Sequence, residues 1–307
     1  MVKFPSPIHQ NSTSPILHLS ALAILALAST ALAKPTVQTS NYPLAYFAQR
    51  IGGDQIDVQF LAPEDGDPAF WEPSDSEIAK LQASAKIFLN GATYEKWLAH
   101  VTLPDSLLVD TSEGFAKQFI EIKETTTHSH GKEGAHSHTG TAFTTWIDFS
   151  QARQQAEAIL PSLVRLLPGA QAALEANAKA LFADLDQLDG DLATTAKAIG
   201  PQPLIASHPV YHYLARRYAL QIESVLWEPE VIPDAPALKS LQDLLAKHPA
   251  KWMIWEGAPA KESVDKLEAL GLKNVVFDPC GNRPEKGDWL SVMLENVANL
   301  KALAPNP

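Results

Sequence analysis

The stretch LEANAKALFADLDQLDGDL, residues 174–192, carries the sequence pattern that decides the fold. Its apolar side chains recur at alternating spacings of four and three residues, at Leu174, Ala178, Leu181, Leu185, Leu188 and Leu192. This spacing places all of them along one face of an α-helix. A helix of about 30 residues would be about 45 Å long. That length favours a helix that connects two lobes over an ordinary surface helix.

Short β-rich runs alternate with helical segments on both sides of this helix. The predicted strands are 36–42, 56–61, 86–91 and 107–112 before it, and 203–208, 221–227, 251–257 and 274–281 after it. The other predicted helices are 43–52, 74–84, 210–220, 237–249, 260–272 and 289–304. A further helical region begins after Ser150 and leads into the long helix, with candidate breaks at Pro161 and Pro168. This alternation predicts an α/β fold in which two lobes of parallel-sheet βα units are joined by a single long helix.

The N-terminus has the features of an export signal. Residues 16–33 form an apolar run that is too short to span a bilayer comfortably and ends in Ala-Leu-Ala, a pattern that signal peptidase accepts. We therefore predict a signal peptide at 1–33 and a periplasmic protein, with an uncleaved membrane anchor as the alternative. The predicted segments of the mature chain are a first lobe at 34–168, a connecting helix at 169–199 and a second lobe at 200–307.

Charge and cysteine content exclude several classes of protein. The formal net charge is −11 and basic residues are not clustered, which argues against binding to nucleic acid or to an anionic membrane surface. Cys280 is the only cysteine, so an internal disulfide is impossible and stability must come from packing. Cys280 and His208 could form a nucleophile–base pair, but no oxyanion-hole signal accompanies them.

The stretch TTHSHGKEGAHSHTG, residues 126–140, contains four histidines and no large apolar side chain. His128, His130, His136 and His138 therefore cannot serve a hydrophobic core. Histidine-rich tracts bind metals, often weakly and without a fixed structure. We predict that this loop contacts a divalent metal, either as a loose collecting tract or as part of a fixed site.

Polar residues fall at the carboxyl ends of several predicted strands, where open parallel sheets bind their ligands. They are Asn90, Asp110, His208, Glu256 and Asp278. The imidazole of His208 and the carboxylate of Asp278 both suit a borderline ion such as Zn²⁺.

Two further candidate ligands have a structural alternative. His212 lies four residues after His208, a spacing at which two histidines of one helix share a face and can bind a metal together. Pro209 is expected to begin the helix, which leaves His208 in the preceding loop and favours a packing role for His212. Asp67 lies in a turn-rich loop at another strand end, where a structural role is the more typical one.

Several of these segments together resemble one protein family. They are NYPLAYFAQRIGGD, FLAPEDGDPAFWEPS, LNGATYEKWL, TTWIDFSQA, SHPVYHYLARRYAL and FDPCGN. The chain resembles, over nearly its whole mature length, the periplasmic metal-binding proteins of ABC importers of the ZnuA/TroA type. The resemblance implies two α/β lobes joined by one long helix and delivery of zinc, manganese or iron to a membrane permease. Many zinc-specific members carry a histidine-rich loop in the first lobe.

Members of the family usually bind the metal with two residues from each lobe. The resemblance extends to only one of these two pairs. His208 and Asp278 match the second-lobe ligands. In the first lobe, Asp67-Pro68-Ala69 stands where the family has Asp-Pro-His, and Thr144 stands where it has a histidine. Our leading hypothesis is that one or two of the loop histidines 128, 130, 136 and 138 complete the site, with Glu256 as the next candidate.

The resemblance implies a monomeric solute-binding protein that carries Zn²⁺, or alternatively Mn²⁺, to an ABC permease in the inner membrane. One alternative is a periplasmic metallochaperone or metal buffer. Another is a non-metal ligand held in a cleft lined by Trp71, Trp146 and Trp227. A zinc-dependent hydrolase that uses His208 and Asp278 is chemically permitted, but no catalytic motif favours it.

Overall fold

The computed structural model describes residues 1–3, 33–122, 127–129, 135–137 and 140–305. The chain divides into two compact units, Met1–Ala33 and Lys34–Pro307, and the second contains all the secondary structure discussed below. Most of the predicted signal peptide lies outside the described residues, so the signal peptide stays a prediction. Among the helices of the described ranges, none combines the length and the apolar character needed to cross a membrane.

The strands and helices follow the alternation predicted from the sequence. The strands are β1 (Thr36–Thr39), β2 (Asp57–Phe60), β3 (Lys86–Leu89), β4 (Leu108–Asp110), β5 (Glu121–Ile122), β6 (Thr127–Ser129), β7 (Ala135–Ser137), β8 (Gly140–Thr141), β9 (Pro203–Ala206), β10 (Gln221–Ser224), β11 (Trp252–Trp255) and β12 (Lys273–Val276). The helices are α1 (Tyr42–Gly52), α2 (Asp75–Ala83), α3 (Phe149–Leu166), α4 (Gln171–Ile199), α5 (His212–Tyr218), α6 (Ala235–Leu245), α7 (Lys261–Ala269) and α8 (Trp289–Leu300).

Two four-stranded parallel sheets share the same strand order. The first runs β2-β1-β3-β4 and the second runs β10-β9-β11-β12, so in each sheet the strand that comes first in sequence lies second in space. The short strands β5 and β8 pair antiparallel, as do β6 and β7. The predicted α/β fold with two parallel-sheet units is confirmed.

Helix α4 lies at the centre of the structure and contacts helices that follow strands of both sheets. It packs against α1 and α3 of the first half and against α5 and α8 of the second half. The six residues of its apolar stripe are at most 1% exposed and belong to one hydrophobic core shared by the two halves. The predicted long connecting helix is therefore confirmed, and its stripe forms the interface between the halves.

The helical region before α4 breaks at only one of the two prolines where a break was expected. The break is at Leu167, where φ is −133° and ψ is 63°, immediately before Pro168. Pro161 lies inside α3, and the predicted break there is wrong. Pro161 is on the exposed side of α3, where solvent can satisfy the carbonyl that proline leaves without a donor.

Candidate metal site

A cavity of about 600 Å³ lies at the carboxyl ends of the strands of both sheets. The loops after β2 and β3 and the turn before α3 form one wall. The segments after β9, β10, β11 and β12 form the other. Ligand sites in parallel α/β sheets occupy this position, because side chains at the strand ends project beyond the hydrogen-bonded ladder.

Three side chains of the second wall bring potential metal ligands together. His208, Glu228 and Glu256 each offer one ligand atom, and these atoms lie within 4.8 Å of one another. Nδ1 of His208 is 3.5 Å from Oε1 of Glu256 and 3.7 Å from Oε1 of Glu228. Because β9 lies between β10 and β11, the residues that follow these three strands are neighbours in space.

Backbone hydrogen bonds beyond the strand ends bring Glu228 to His208. The amide of Val225 donates to the carbonyl of Ala206 at 2.9 Å, and that of Trp227 donates to Ser207 at 2.8 Å. The amide of Ser207 in turn donates to the carbonyl of Ile254 at 2.8 Å. These bonds continue the pairing past the strand ends, so backbone pairing positions the segments that carry His208 and Glu228.

The cavity concentrates negative charge. Burial raises the pKa of Glu256 well above its usual value, and the nearby carboxylates of Glu228, Asp67, Asp278 and Glu230 raise it further, in that order. Like charges in a buried site favour the protonated acid unless a cation balances them. One imidazole and two carboxylates can hold Zn²⁺ as three protein ligands and leave one coordination position open. The donor set therefore fits a divalent metal.

Asp278 lines the same cavity but lies outside the three-residue cluster. Its Oδ1 accepts a hydrogen bond from the amide of Cys280 at 2.6 Å, and burial raises the pKa of its carboxyl group, an effect that this bond opposes. Its predicted role as a ligand stays a prediction. Burial and the neighbouring carboxylates Asp278 and Asp288 raise the pKa of the Cys280 thiol, which argues against a nucleophilic thiolate.

The two positions without the expected first-lobe histidines carry no metal ligand. Ala69 is fully buried in the short turn Pro68–Phe70, between neighbours that line the cavity. Thr144 lines the cavity just before the turn that leads into α3. Oδ1 of Asp67 accepts the amide of Ala69 at 2.9 Å, so Asp67 has a structural role and also adds charge to the cavity.

The histidine-rich loop is only partly described. His128 and His136 lie opposite each other in the antiparallel pair β6–β7, whereas His130 and His138 lie outside the described residues. The prediction that these histidines complete the site therefore stays a prediction. His212, at the first residue of α5, does not line the main cavity, and α5 begins there rather than at the predicted Pro209.

Only one of the three tryptophans predicted to line the cleft does so. Trp146 lines the cavity, and its Nε1 donates to the carbonyl of Pro279 at 2.7 Å. Trp71 packs against Trp97 with ring centroids 5.8 Å apart, and Trp227 packs against Trp255 at 6.3 Å. The prediction is wrong for Trp71 and Trp227, because both pack on hydrophobic clusters and neither lines the cavity.

The segment after β12 fastens the two walls together. Nδ2 of Asn282 donates to the carbonyls of Pro63, Glu64 and Gly66 at 2.8, 3.1 and 3.0 Å. The guanidinium of Arg283 donates to the carbonyl of Ala62 at 3.0 Å and also to that of Phe60. We call Asn282 and Arg283 the cross-wall clamp, because they hold the loop that leads to Asp67 against the second half of the chain.

The comparison with known families agrees with this architecture. Residues 37–303 match the model of the ZnuA family, described as zinc-uptake complex component A, periplasmic. The chain belongs to the ZnuA family. The resemblance seen in the sequence is thereby confirmed, although Glu228 was not among the ligands it suggested.

Two relatives within the ZnuA family illustrate the similarity. The chain is 28% identical over 280 residues to the high-affinity zinc uptake system protein ZnuA of Bacillus subtilis (strain 168), and the match covers 86% of each protein. It is 26% identical over 280 residues to the zinc-binding lipoprotein AdcA of Streptococcus pneumoniae (strain R6). That match covers 87% of this chain but only 55% of AdcA, so the chain spans about half of AdcA.

Two solved structures share the fold. The metal-dependent lipoprotein YcdH from Bacillus subtilis superposes with a TM-score of 0.75 at 24% identity, over 88% of this chain and 98% of that one. The periplasmic zinc-binding protein TroA from Treponema pallidum superposes with a TM-score of 0.71 at 19% identity, over 89% of this chain and 100% of that one.

Proposed function

We propose that this chain is a periplasmic substrate-binding protein that captures Zn²⁺ and delivers it to an ABC importer. The cluster of His208, Glu228 and Glu256 supports this proposal most directly, because it places three metal ligands in a cavity of a ZnuA-family fold. The family description and the names of the relatives ZnuA and AdcA refer to zinc, which favours Zn²⁺ over Mn²⁺ as the cargo. The metal is carried and is not used in catalysis.

Capture exchanges the water molecules of the hydrated ion for the three protein ligands. Zn²⁺ binds a neutral imidazole and ionised carboxylates. His208 therefore binds the ion in its neutral form, and Glu256 loses its carboxyl proton when the ion binds. The two carboxylates of Glu228 and Glu256 balance the charge of the ion. Binding therefore offsets the burial and the repulsion by nearby carboxylates that together raise the pKa of Glu256.

Two parts of the proposal concern residues outside this cluster. One or two of His128, His130, His136 and His138 supply a further ligand, and Asp278 adds charge next to the ion. The signal peptide at 1–33, the docking to a permease in the inner membrane and the monomeric state complete the proposal.

Zinc titration of the metal-free protein against a competing chelator tests the site. We expect one tightly bound ion per chain. Loss of a group that only hydrogen-bonds to a metal ligand already weakens metal binding about 10- to 100-fold. His208→Ala and Glu256→Gln remove direct ligands, so each should weaken zinc binding by about 100-fold or more. His100→Ala removes an exposed histidine remote from the cavity lining and serves as the control. Unchanged affinity in the His208→Ala/Glu256→Gln double variant would exclude the proposed site.

The role of the loop needs a separate variant. Replacing His128, His130, His136 and His138 together by alanine should weaken zinc binding if the loop supplies a ligand. Unchanged tight affinity in this variant contradicts the role of the loop but leaves the cluster of the second wall intact. The two parts of the proposal can therefore fail independently.

A further inference from the structure

Asn296 is a polar residue on the buried face of α8. It is 2% exposed, and the other buried residues of that helix are Trp289, Met293, Val297 and Leu300. An apolar side chain would suit these surroundings better, because a buried amide is stable only when its hydrogen bonds are made. The hydrogen bonds of this amide therefore indicate what Asn296 does.

Two hydrogen bonds join the amide of Asn296 to the backbone of Asp278. Its Oδ1 accepts the amide N–H of Asp278 at 2.9 Å, and its Nδ2 donates to the carbonyl of Asp278 at 2.7 Å. Asp278 follows β12, which is the outermost strand of the second sheet. The side chain of Asn296 thus pairs with these peptide groups as a neighbouring strand would.

Further contacts fix Asp278 from other directions. The amide of Phe277 donates to the carbonyl of Trp255 at 2.8 Å, and the carbonyl of Phe277 accepts the hydroxyl of Tyr211 at 2.8 Å. Oδ1 of Asp278 accepts the amide of Cys280 at 2.6 Å. With its backbone and one carboxylate oxygen fixed, Asp278 keeps its side chain at the cavity that it lines.

The charge of Asp278 acts on the ligand cluster. Burial raises the pKa of Glu256, and the carboxylate of Asp278 is among the neighbours that raise it further. The same charge would attract a cation bound to the cluster. Because a Coulomb interaction weakens with distance, the strength of this attraction depends on where the carboxylate of Asp278 is held.

We propose that Asn296 is a positioning residue of the metal site, whose amide fixes the backbone of Asp278 so that the carboxylate stays beside the bound Zn²⁺. Asn296 itself touches neither the ion nor its ligands, and it acts on zinc affinity only through Asp278. The inference rests on the proposed function, because it assumes that His208, Glu228 and Glu256 hold the ion with Asp278 next to it.

Asn299 offers a matched control on the same helix. It lies three residues after Asn296, is half-buried, and donates through its Nδ2 to the carbonyl of Val276 at 3.1 Å. Its side chain therefore pairs with the same strand by the same chemistry, two residues before Asp278. Asn299 does not line the main cavity.

Zinc affinities of four proteins, measured against a competing chelator, test the proposal. They are the native chain, Asn296→Ala, Asp278→Asn and the double variant. Loss of a group that only supports a metal ligand weakens metal binding about 10- to 100-fold. We expect Asn296→Ala and Asp278→Asn each to weaken zinc binding by about 10-fold, and the double variant to bind no more weakly than Asp278→Asn. Asn299→Ala should leave the affinity unchanged.

Hydrogen exchange of the metal-free protein measures the anchoring directly. The amide of Asp278 should exchange faster in Asn296→Ala than in the native chain or in Asn299→Ala, because it loses its bond to Oδ1 of Asn296. Urea unfolding shows whether Asn296→Ala is folded. If it is not, Asn296→Ser takes its place in the same four-protein comparison, because its hydroxyl can hold a water molecule that bridges to the freed peptide groups.

The outcomes separate this inference from the proposed function. A purely structural role of Asn296 would weaken zinc binding equally with Asp278 and with Asp278→Asn, and that result would overturn the inference. Unchanged affinity in Asn296→Ala or in Asp278→Asn would also overturn it, while zinc capture by the cluster would stand. Absence of zinc binding in the native protein would instead refute the proposed function itself.

Discussion

Glu95 is a buried acid whose ionisation should make stability depend on pH. It is 8% exposed and accepts hydrogen bonds from the amides of Asn90 at 2.6 Å and Gly91 at 3.2 Å. Burial raises the pKa of Glu95 from 4.5 to about 7, although these bonds and one with Ser40 oppose the shift. The folded chain therefore holds this proton more tightly than the unfolded chain does.

The sign and size of the effect follow from linkage. The stabilising contribution of the bound proton is complete below pH 4.5 and is lost as the pH rises through the folded-state pKa of about 7. Between pH 5 and pH 8, the two pKa values give a loss of about 2.5 kcal/mol in the free energy of unfolding. Above pH 8 the contribution of Glu95 changes little further.

Urea unfolding of the metal-free protein at pH 5 and pH 8, for the native chain and Glu95→Gln, measures this effect. The amide cannot ionise, so the fall in stability between the two pH values should be about 2.5 kcal/mol smaller in the variant. The raised pKa values of Glu256 and Asp278 act in the same direction in both proteins and cancel in the comparison. Glu113→Gln, at an exposed position, is the control. Equal pH dependence in the native chain and the Glu95→Gln variant would refute the assignment.

Three further predictions concern the core, the cross-wall clamp and the metal. Leu185→Ala should destabilise the chain by about 2–5 kcal/mol because it leaves a cavity under α4, whereas Leu294→Ala at a 48% exposed position should change stability little in the same urea titration. Asn282→Ala should accelerate hydrogen exchange of the amides in segment 61–67, and unchanged exchange would show that the clamp does not hold this loop. Zinc binding near neutral pH should release a proton from Glu256. The calorimetric heat of the native protein would then vary with the ionisation enthalpy of the buffer, and Glu256→Gln should weaken that variation.

Local patterns in the sequence were sufficient to predict the fold. The leucine stripe of α4 is apolar with helical period over the whole helix, and burial of that stripe is its physical consequence. The strands were predicted because short β-rich runs alternate with helical segments. The first strand is shorter than predicted, because Asn41, inside the predicted strand 36–42, accepts the amide of Leu44 at 3.0 Å and begins α1. Pro161 misled the prediction, because the packing of its neighbours Ile159 and Leu163 keeps α3 continuous.

The candidate site could be predicted only in part. His208 and Glu256 follow their strands within two residues, so the rule for strand ends selects them. Glu228 lies four residues beyond β10, and the backbone pairing of Val225 and Trp227 with the segment after β9 carries it to His208. Glu228 directly follows the predicted strand 221–227, so the rule for strand ends could have selected it, but its approach to His208 depends on the spatial order of the strands. Asp278 satisfies the same strand-end rule but lies outside the cluster.

The shared burial of α4 has a consequence for how the protein can be divided. Helix α4 contacts α1 and α3 before it in the chain and α5 and α8 after it, and its leucine stripe lies in one core with residues of both halves. A chain cut at Gly200 would leave the first piece with the part of that stripe that α5 and α8 cover exposed to water, and the second piece with the matching apolar faces uncovered. Neither fragment could keep a closed core. The two sheets therefore belong to one indivisible folding unit, even though each sheet repeats the topology of the other.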